Sequence, residues 1–187
     1  ECIFPDMAGS SKGKILPVER FVKSFREQSL RLADSVFGQT VSGKWVYQSE
    51  VIDYVEEDLF MAPDLSTIRK IPWNKEPTAQ IICDLNYPSG EPSKLAPRQV
   101  LKNIIKKLSD EGLQAVVAPE LEFYLCEQNL DPDLPLKTPI GKSGRRETGS
   151  RVFGIDAVNE FDKLTDDIYD YCELMNIGVD TLVHESG

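Results

Sequence analysis

The chain has 187 residues, of which 41% are hydrophobic, and this is enough to fill the core of one domain or of two small ones. Its 31 acidic and 21 basic side chains give a formal net charge of -10, which argues against nucleic acid as a partner because phosphates would be repelled. No apolar run approaches a membrane span and no basic-then-apolar leader opens the sequence, so we expect a cytoplasmic protein with no membrane partner.

The cysteines are far apart in the sequence, and none belongs to a Cys-x-x-Cys pair: they are Cys2, Cys83, Cys126 and Cys172. Zinc sites usually combine such pairs with histidines, whereas this chain contains a single histidine. We therefore expect reduced, buried thiols and no zinc centre.

Residues 1–90 carry β-type patterns that are interrupted by turn residues. A short apolar stretch at 1–6, a turn cluster at 8–11 and a return at 12–17 predict a β-hairpin. Apolar residues roughly on one side predict a helix over 18–33. Further short strands are predicted at 59–61, 67–71 and 78–85.

Proline and glycine residues at 87–92 indicate a domain boundary, which gives a first domain of residues 1–90 and a second domain of residues 91–187. In the second domain Pro97 suits the first turn of a helix, and an apolar stripe continues from it to Gly112. The remaining predicted elements are a strand over 113–126, a long surface loop over 129–150, a helix capped by Asp156 that stops at 176–178, and a strand over 179–185.

Two carboxylates lie close together on the predicted strand of residues 118–125. Side chains i and i+2 of a strand project from one face, about 7 Å apart, so Glu120 and Glu122 would project together while Leu121 and Phe123 anchor the other face. Mg²⁺ or Mn²⁺ would relieve their repulsion, since both ions prefer oxygen ligands. On the pattern alone a solvated polar face is the commoner explanation, and Glu185 at the end of the last strand is open to the same explanation.

Several segments, taken in order along the whole chain, resemble motifs of the glutamine synthetase family. Residues 118–125 resemble its Gly-x-Glu-x-Glu-Phe-aromatic-Leu strand, and residues 180–185 resemble its later strand that ends in His-Glu. The other similar segments are Phe4-Pro5-Asp6 with Gly13-Lys14, residues 57–67 with their Met-Ala-Pro-Asp-Leu-Ser-Thr, and Ala96-Pro97-Arg98.

The resemblance implies an α+β fold, with a small β-grasp amino-terminal domain followed by the beginning of a glutamine-synthetase-type α/β catalytic domain whose sheet is incomplete. It also implies an activity. Members of the family phosphorylate the γ-carboxylate of glutamate with ATP, and an amine or ammonia then displaces phosphate to form a γ-glutamyl amide. Mg²⁺ or Mn²⁺ neutralises the phosphates, and the full-length proteins assemble into ring-like homo-oligomers.

The family's functional positions can be carried over to this sequence one by one. Glu120 matches the ligand of the metal ion nearer the nucleotide phosphates, while Glu122 and Glu185 match ligands of the second ion. Asp180 aligns with a position that contacts the nucleotide. Asp58 matches an acidic residue near the ammonium site of a neighbouring subunit, where a carboxylate can hold a cationic amine and help to deprotonate it. Without the resemblance, Asp58 would be interpreted as a solvated acid.

The sequence departs from the glutamine-forming pattern at residues 37–40. An aspartate of the ammonium site would fall there, but these residues are Phe-Gly-Gln-Thr, which argues against ammonia as the substrate. Residues 141–149 and 155–161 resemble the branch of the family that joins glutamate to putrescine or other amines. We therefore expect a glutamate–amine ligase of that branch, with a glutamate–ammonia ligase as the alternative that stays open.

Chains of this family are much longer, and the residues that would complete the metal and phosphate sites follow the position of Glu185. We therefore expect this chain to be a fragment of a longer polypeptide and to lack ligase activity by itself. The alternative is a non-catalytic truncated homologue that acts as an assembly or binding module.

Overall fold

The computed structural model describes residues 1–46 and 56–186. The chain forms two compact units, Glu1–Val116 and Val117–Gly187. The predicted second domain ends at residue 187, which lies outside the described residues. The first unit contains a β-sheet and helices, while the second contains helices and long irregular segments. The predicted α+β class is therefore confirmed.

The first unit is built on a curled, open sheet. Its strands are β1 (Cys2–Pro5), β2 (Ser11–Lys14), β3 (Arg31–Ala33), β4 (Asp58–Pro63), β5 (Arg69–Lys70) and β6 (Ala79–Asn86), and its helices are α1 (Val18–Glu27) and α2 (Pro97–Asp110). The strand order is β2-β1-β6-β4-β3, with β5 also paired to β6. β1 and β6 are parallel, and the other pairs are antiparallel. The Nζ of Lys14 donates to the carbonyl of Arg31, so the two outer strands approach each other.

The predicted hairpin is confirmed as β1 and β2, and it depends on a glycine. Ile3 lies opposite Gly13 in the antiparallel ladder. A Cβ at residue 13 would lie 2.0 Å from the carbonyl oxygen of Cys2, which is far inside van der Waals contact. Only glycine therefore allows this close approach of the two backbones.

The core of the first unit lies between β1, β4 and β6. Leu59 and Met61 of β4 are 0% exposed, and Leu85 of β6 is 2% exposed. Phe4 packs edge-on against Phe37, with ring centroids 6.3 Å apart. The predicted strands over 59–61 and 78–85 are thus confirmed, because the alternating apolar residues occupy one buried face.

The predicted helix over 18–33 is wrong in its second half. α1 ends at Glu27, and Gln28 adopts a left-handed conformation with φ of 49°. Residues 31–33 form β3, in which Leu32 pairs with Leu59. The helical spacing of apolar residues was misleading, because strand pairing in the tertiary structure overrides a weak local preference. The predicted strand over 67–71 is likewise divided between a short 3-10 helix, Leu65–Thr67, and β5.

α2 begins at Pro97 and ends at Asp110, before Gly112 with φ of 73°, as the sequence predicts. Its apolar stripe is about half exposed in this chain: Val100, Leu101, Ile104 and Ile105 are 48–58% accessible. The helix is instead attached through charges. Arg98 hydrogen-bonds Asp64 and lies 3.3 Å (Nε to Oδ1) from Asp84, and Lys102 Nζ lies 2.5 Å from the second oxygen of Asp84.

The second unit contains α3 (Ile155–Asn159) and α4 (Asp162–Leu174). A single helix capped by Asp156 was expected, and this is wrong. Gly154 is the N-cap residue, and the helix is interrupted at Glu160 and Phe161. Glu160 is tied to the preceding loop, because its carboxylate accepts from Ser143 N at 2.9 Å and its carbonyl accepts from Lys142 N at 3.0 Å.

The predicted strands over 113–126 and 179–185 do not form in the described residues. Leu121 and Phe123, expected to anchor one strand face in a core, are 92% and 60% exposed. The physical reason is that a strand needs a neighbour for its N–H and C=O groups, and no described segment makes a ladder with either stretch. The long loop over 129–150 contains no helix or strand and is confirmed. No helix among the described residues is both long and apolar enough to cross a membrane.

The Arg98 cluster allows a test of what holds α2 to the sheet. Arg98→Met would leave the carboxylates of Asp64 and Asp84 without their shared guanidinium, so we expect a clear loss in the free energy of unfolding. Urea unfolding followed by tryptophan fluorescence reports on the first unit, since Trp45 and Trp73 both lie there. Lys106→Met, which removes an exposed i,i+4 pair, is the control and should change stability by about 0.5 kcal/mol or less.

The same comparison has a predicted pH dependence. Hydrogen bonds from Ser66 and from Arg98 lower the pKa of Asp64 in the folded chain. A carboxyl with a lowered folded pKa contributes stability above its unfolded pKa and loses it as the pH falls through the folded value. The difference between wild type and Arg98→Met should therefore shrink on acidification below the usual aspartate pKa. If acidification lowers the stability of wild type and of Arg98→Met equally, or if the difference between them grows at low pH, this role of Arg98 is contradicted.

Candidate functional site

Asp58 is exposed at the first position of β4, where it lies opposite Ala33 of β3. The neighbouring backbone is held firmly. Asp34 is buried, its N–H donates to the carbonyl of Glu57 at 2.9 Å, and its Oδ1 accepts from Glu57 N at 3.2 Å. Asp58 is thus exposed at the end of a strand whose neighbouring backbone is anchored by Asp34.

Residues 37–40, which carry no ammonium-site aspartate, comprise the end of the 3-10 helix Asp34–Gly38 and the two residues that follow, of which Gln39 forms an isolated bridge with Trp45. Phe37 is buried, and the carbonyl of Gly38 accepts from Val46 N at 2.7 Å. The hydroxyl of Thr40 accepts from Lys44 N at 3.1 Å. Nearby, β2, β3 and the 3-10 helix Asp34–Gly38 border a mainly apolar groove of about 320 Å³, and none of the predicted site residues lines it.

The carboxylates predicted to bind metal ions are all exposed in the second unit. Glu120 and Glu122 lie in an irregular segment, and Glu185 lies in another, five residues after the exposed Asp180. Across residues 1–46 and 56–186, no group of three or more His, Cys, Asp or Glu side chains is arranged to hold a metal ion. Oxygen donors of this kind suit Mg²⁺, but the chain as described does not gather them into an ion site.

The structure instead brings together a charged cluster that the sequence did not predict. The carboxylate of Glu147 accepts from Arg151 Nη2 at 2.6 Å and from the backbone N–H groups of Thr148 and Gly149 at 2.8 and 3.2 Å. The Nε2 of His184 lies 3.6 Å from Oε1 of Glu147. A fixed carboxylate therefore links the loop of residues 147–154 to the segment that carries Glu185.

The electrostatics of Glu147 follow from these contacts. Burial alone would raise the pKa of Glu147, but hydrogen bonds from Thr148 N, the Arg151 side chain and Gly149 N outweigh it and lower the pKa. Arg151 in turn donates from Nη1 to Asp156 Oδ2 at 2.9 Å, and both contacts raise the pKa of Arg151. Glu147 and Arg151 are thus a stable ion pair at neutral pH.

His184 is also held through its backbone. Its carbonyl accepts from Phe153 N at 2.7 Å, and Phe153 has φ of 56°, a left-handed conformation that is unusual for a bulky residue. The Nδ1 atom of His184 is buried and has no hydrogen-bond partner among the described residues. The only sequence signal for this cluster was the single histidine beside Glu185, because Glu147 and Arg151 lie in a loop far away in the sequence.

Comparison with known proteins supplies the family. The model of the glutamine synthetase catalytic domain matches residues 94–187. The chain is 29% identical over 188 residues to gamma-glutamylputrescine synthetase PuuA of Escherichia coli K12, covering 100% of this chain and 39% of that protein. It is 32% identical over 127 residues to glutamate–isopropylamine ligase of a Pseudomonas species, covering 67% of this chain and 28% of that protein.

The fold of the chain is also similar to that of a solved structure. A solved structure described as a novel glutamine synthase homolog superposes with a TM-score of 0.69 at 12% identity, covering 100% of this chain and 40% of that one. The chain therefore spans between about a quarter and two fifths of the length of these proteins. Because the catalytic-domain model matches half of the chain, and because the relatives include the amine-joining branch predicted from the motifs, the chain belongs to the glutamine synthetase family.

Proposed function

We propose that the chain is the amino-terminal part of an ATP-dependent ligase that joins glutamate to an amine through γ-glutamyl phosphate. The observation that carries this proposal is the similarity over the whole chain to a gamma-glutamylputrescine synthetase. Two further findings support an amine over ammonia. A second relative is named for isopropylamine, and residues 37–40 contain no carboxylate.

The proposed domain organisation keeps a β-grasp domain over 1–90 and the start of the catalytic domain over 91–187. Its support is the hairpin of β1 and β2, followed by α1 and by a strand, β6, that pairs with β1 in parallel. The family match at residues 94–187 begins close to the proposed boundary. We further propose that the complete protein forms a ring-like homo-oligomer in the cytoplasm.

In the proposed enzyme, each candidate residue has a role that its chemistry allows. Glu120, Glu122 and Glu185 would supply oxygen ligands to Mg²⁺ or Mn²⁺, ions that neutralise the phosphates of ATP when bound. Asp180 would contact the nucleotide. Asp58 would hold the cationic amine and accept its proton, and its exposed position at the end of β4 leaves it accessible for this.

A second candidate function is a non-catalytic assembly or binding module. The observation that favours it is that the described residues contain no metal-binding cluster of His, Cys, Asp or Glu. The exposed apolar side chains of α2 and of residues 116–125 would suit a module that associates with other chains. The two candidates differ in whether any form of the protein turns over ATP with an amine.

The decisive experiment follows amide formation by the complete protein that contains this chain. With glutamate and ATP present, we expect faster turnover with putrescine or isopropylamine than with ammonia, and no turnover by the 187-residue chain alone. Phosphate release measures the turnover of ATP, and mass spectrometry of the product measures amide formation. A preference for ammonia would refute the amine assignment. Absence of turnover with every amine tested would favour the module.

Substitution of Asp58 tests the proposed proton acceptor. In the complete protein, Asp58→Asn should reduce turnover with amines by about 10²-fold or more, because an amide cannot accept the proton. Glu57→Gln is the matched control. It alters the neighbouring exposed acid, whose contacts with Asp34 are made through the backbone. Equal rates for the two variants, measured at saturating ATP, would exclude Asp58 from the reaction.

A further inference from the structure

The cluster of Glu147, Arg151 and His184 has no part in the proposed chemistry, yet several short contacts hold it together. The side chain of Glu147 is 10% exposed, and that of His184 is 17% exposed. By contrast, the candidate carboxylates of this unit are exposed. The partly buried ion pair of Glu147 and Arg151 thus contacts His184, the neighbour of the exposed candidate residue Glu185.

Two independent anchors converge on residue 184. One is the side chain, whose Nε2 lies 3.6 Å from Glu147 Oε1. The other is the backbone, whose carbonyl accepts from Phe153 N at 2.7 Å. A residue held at both its ring and its carbonyl has little freedom to rotate. The side chain of the next residue therefore projects from the backbone in a fixed direction. That next residue is Glu185.

The anchors are themselves braced. Arg151 connects Glu147 to Asp156 in the first turn of α3, with distances of 2.6 and 2.9 Å. The turn that presents Phe153 N is closed by a hydrogen bond of 2.8 Å from Gly154 N to the carbonyl of Arg151. Phe153 keeps a left-handed φ of 56° there, and such strained residues persist where the surroundings require them. The bracing thus runs from α3 to the segment of Glu185.

We infer that Glu147 and Arg151 are positioning residues that hold His184, and with it the backbone from which Glu185 projects, in one orientation. Oε1 of Glu147 places a carboxylate 3.6 Å from Nε2, while Nδ1 is buried and has no hydrogen-bond partner among the described residues. The holding of His184 is independent of any activity. Only the consequence for Glu185 rests on the proposed function.

The single histidine of the chain allows a direct test. Ring ¹⁵N shifts of the uniformly labelled chain, recorded at one fixed pH, report on the surroundings of the two ring nitrogens. In Glu147→Gln the ring shifts should change, because the negative charge beside Nε2 is gone. Glu173→Gln, an exposed acid of α4, is the control and should leave the ring signals unchanged.

The inference is overturned if Glu147→Gln leaves the ring shifts of His184 as they are, or if the control moves them equally. Should Glu147→Gln fail to fold, Arg151→Lys replaces it. That variant keeps a positive charge but loses the second contact of the guanidinium, to Asp156. It should move the ring signals in the same direction, and unchanged signals would again overturn the inference.

The consequence for Glu185 is tested in the complete protein. Loss of an outer partner of a site residue typically reduces activity by about 10- to 100-fold. We expect that reduction in kcat for Glu147→Gln, with KM for the amine unchanged, and we expect no change for Glu173→Gln. If the kcat of Glu147→Gln equals that of Glu173→Gln, the cluster has no effect on Glu185. If the wild-type protein forms no amide at all, the proposed function fails, and the ring shifts alone decide whether Glu147 positions His184.

Discussion

Pairing between strands is the constraint on which the rest of this structure depends. β6 has neighbours on both edges, and the core residues of β6 and β4 are at most 4% exposed. Residues 118–125 have a similar alternation of apolar and polar side chains but no partner strand among the described residues, and Leu121 is 92% exposed. The same kind of pattern therefore gives an ordered strand in one unit and an unpaired segment in the other, because the backbone polar groups must find partners.

This constraint also explains the state of the candidate site. The secondary-structure element that carries a carboxylate determines the direction in which it projects. Glu120 and Glu122 can therefore share a face only if their segment is a strand. Asp58 lies on a paired strand and has a defined position, whereas Glu120, Glu122 and Glu185 do not meet as a metal-binding cluster in the described residues. Under the proposed ligase function, residues 118–125 would need partner strands that residues 1–46 and 56–186 do not supply.

Much of the first unit could be predicted because its signals are local. Turn residues predicted the hairpin, alternating apolar residues predicted β4 and β6, and a proline at the first turn with a glycine after the end predicted α2. The errors arose where distant residues decide the outcome. Residues 31–33 leave the expected helix to pair with β4, and Glu160 interrupts the expected helix near Asp156 because it binds the loop at Ser143. The Glu147 cluster was missed for the same reason, since His184 is far in the sequence from Glu147 and Arg151.

The family could be predicted from the order of short motifs, even though no single motif was specific. We infer that residues 118–125 become a strand, and their glutamates a site, only where further residues of the proposed ligase supply the neighbouring strands. Hydrogen exchange of the backbone amides of 118–125 tests it most directly. We expect fast exchange in the 187-residue chain and strong protection in the complete protein. Fast exchange in both, with the complete protein active, would contradict the account.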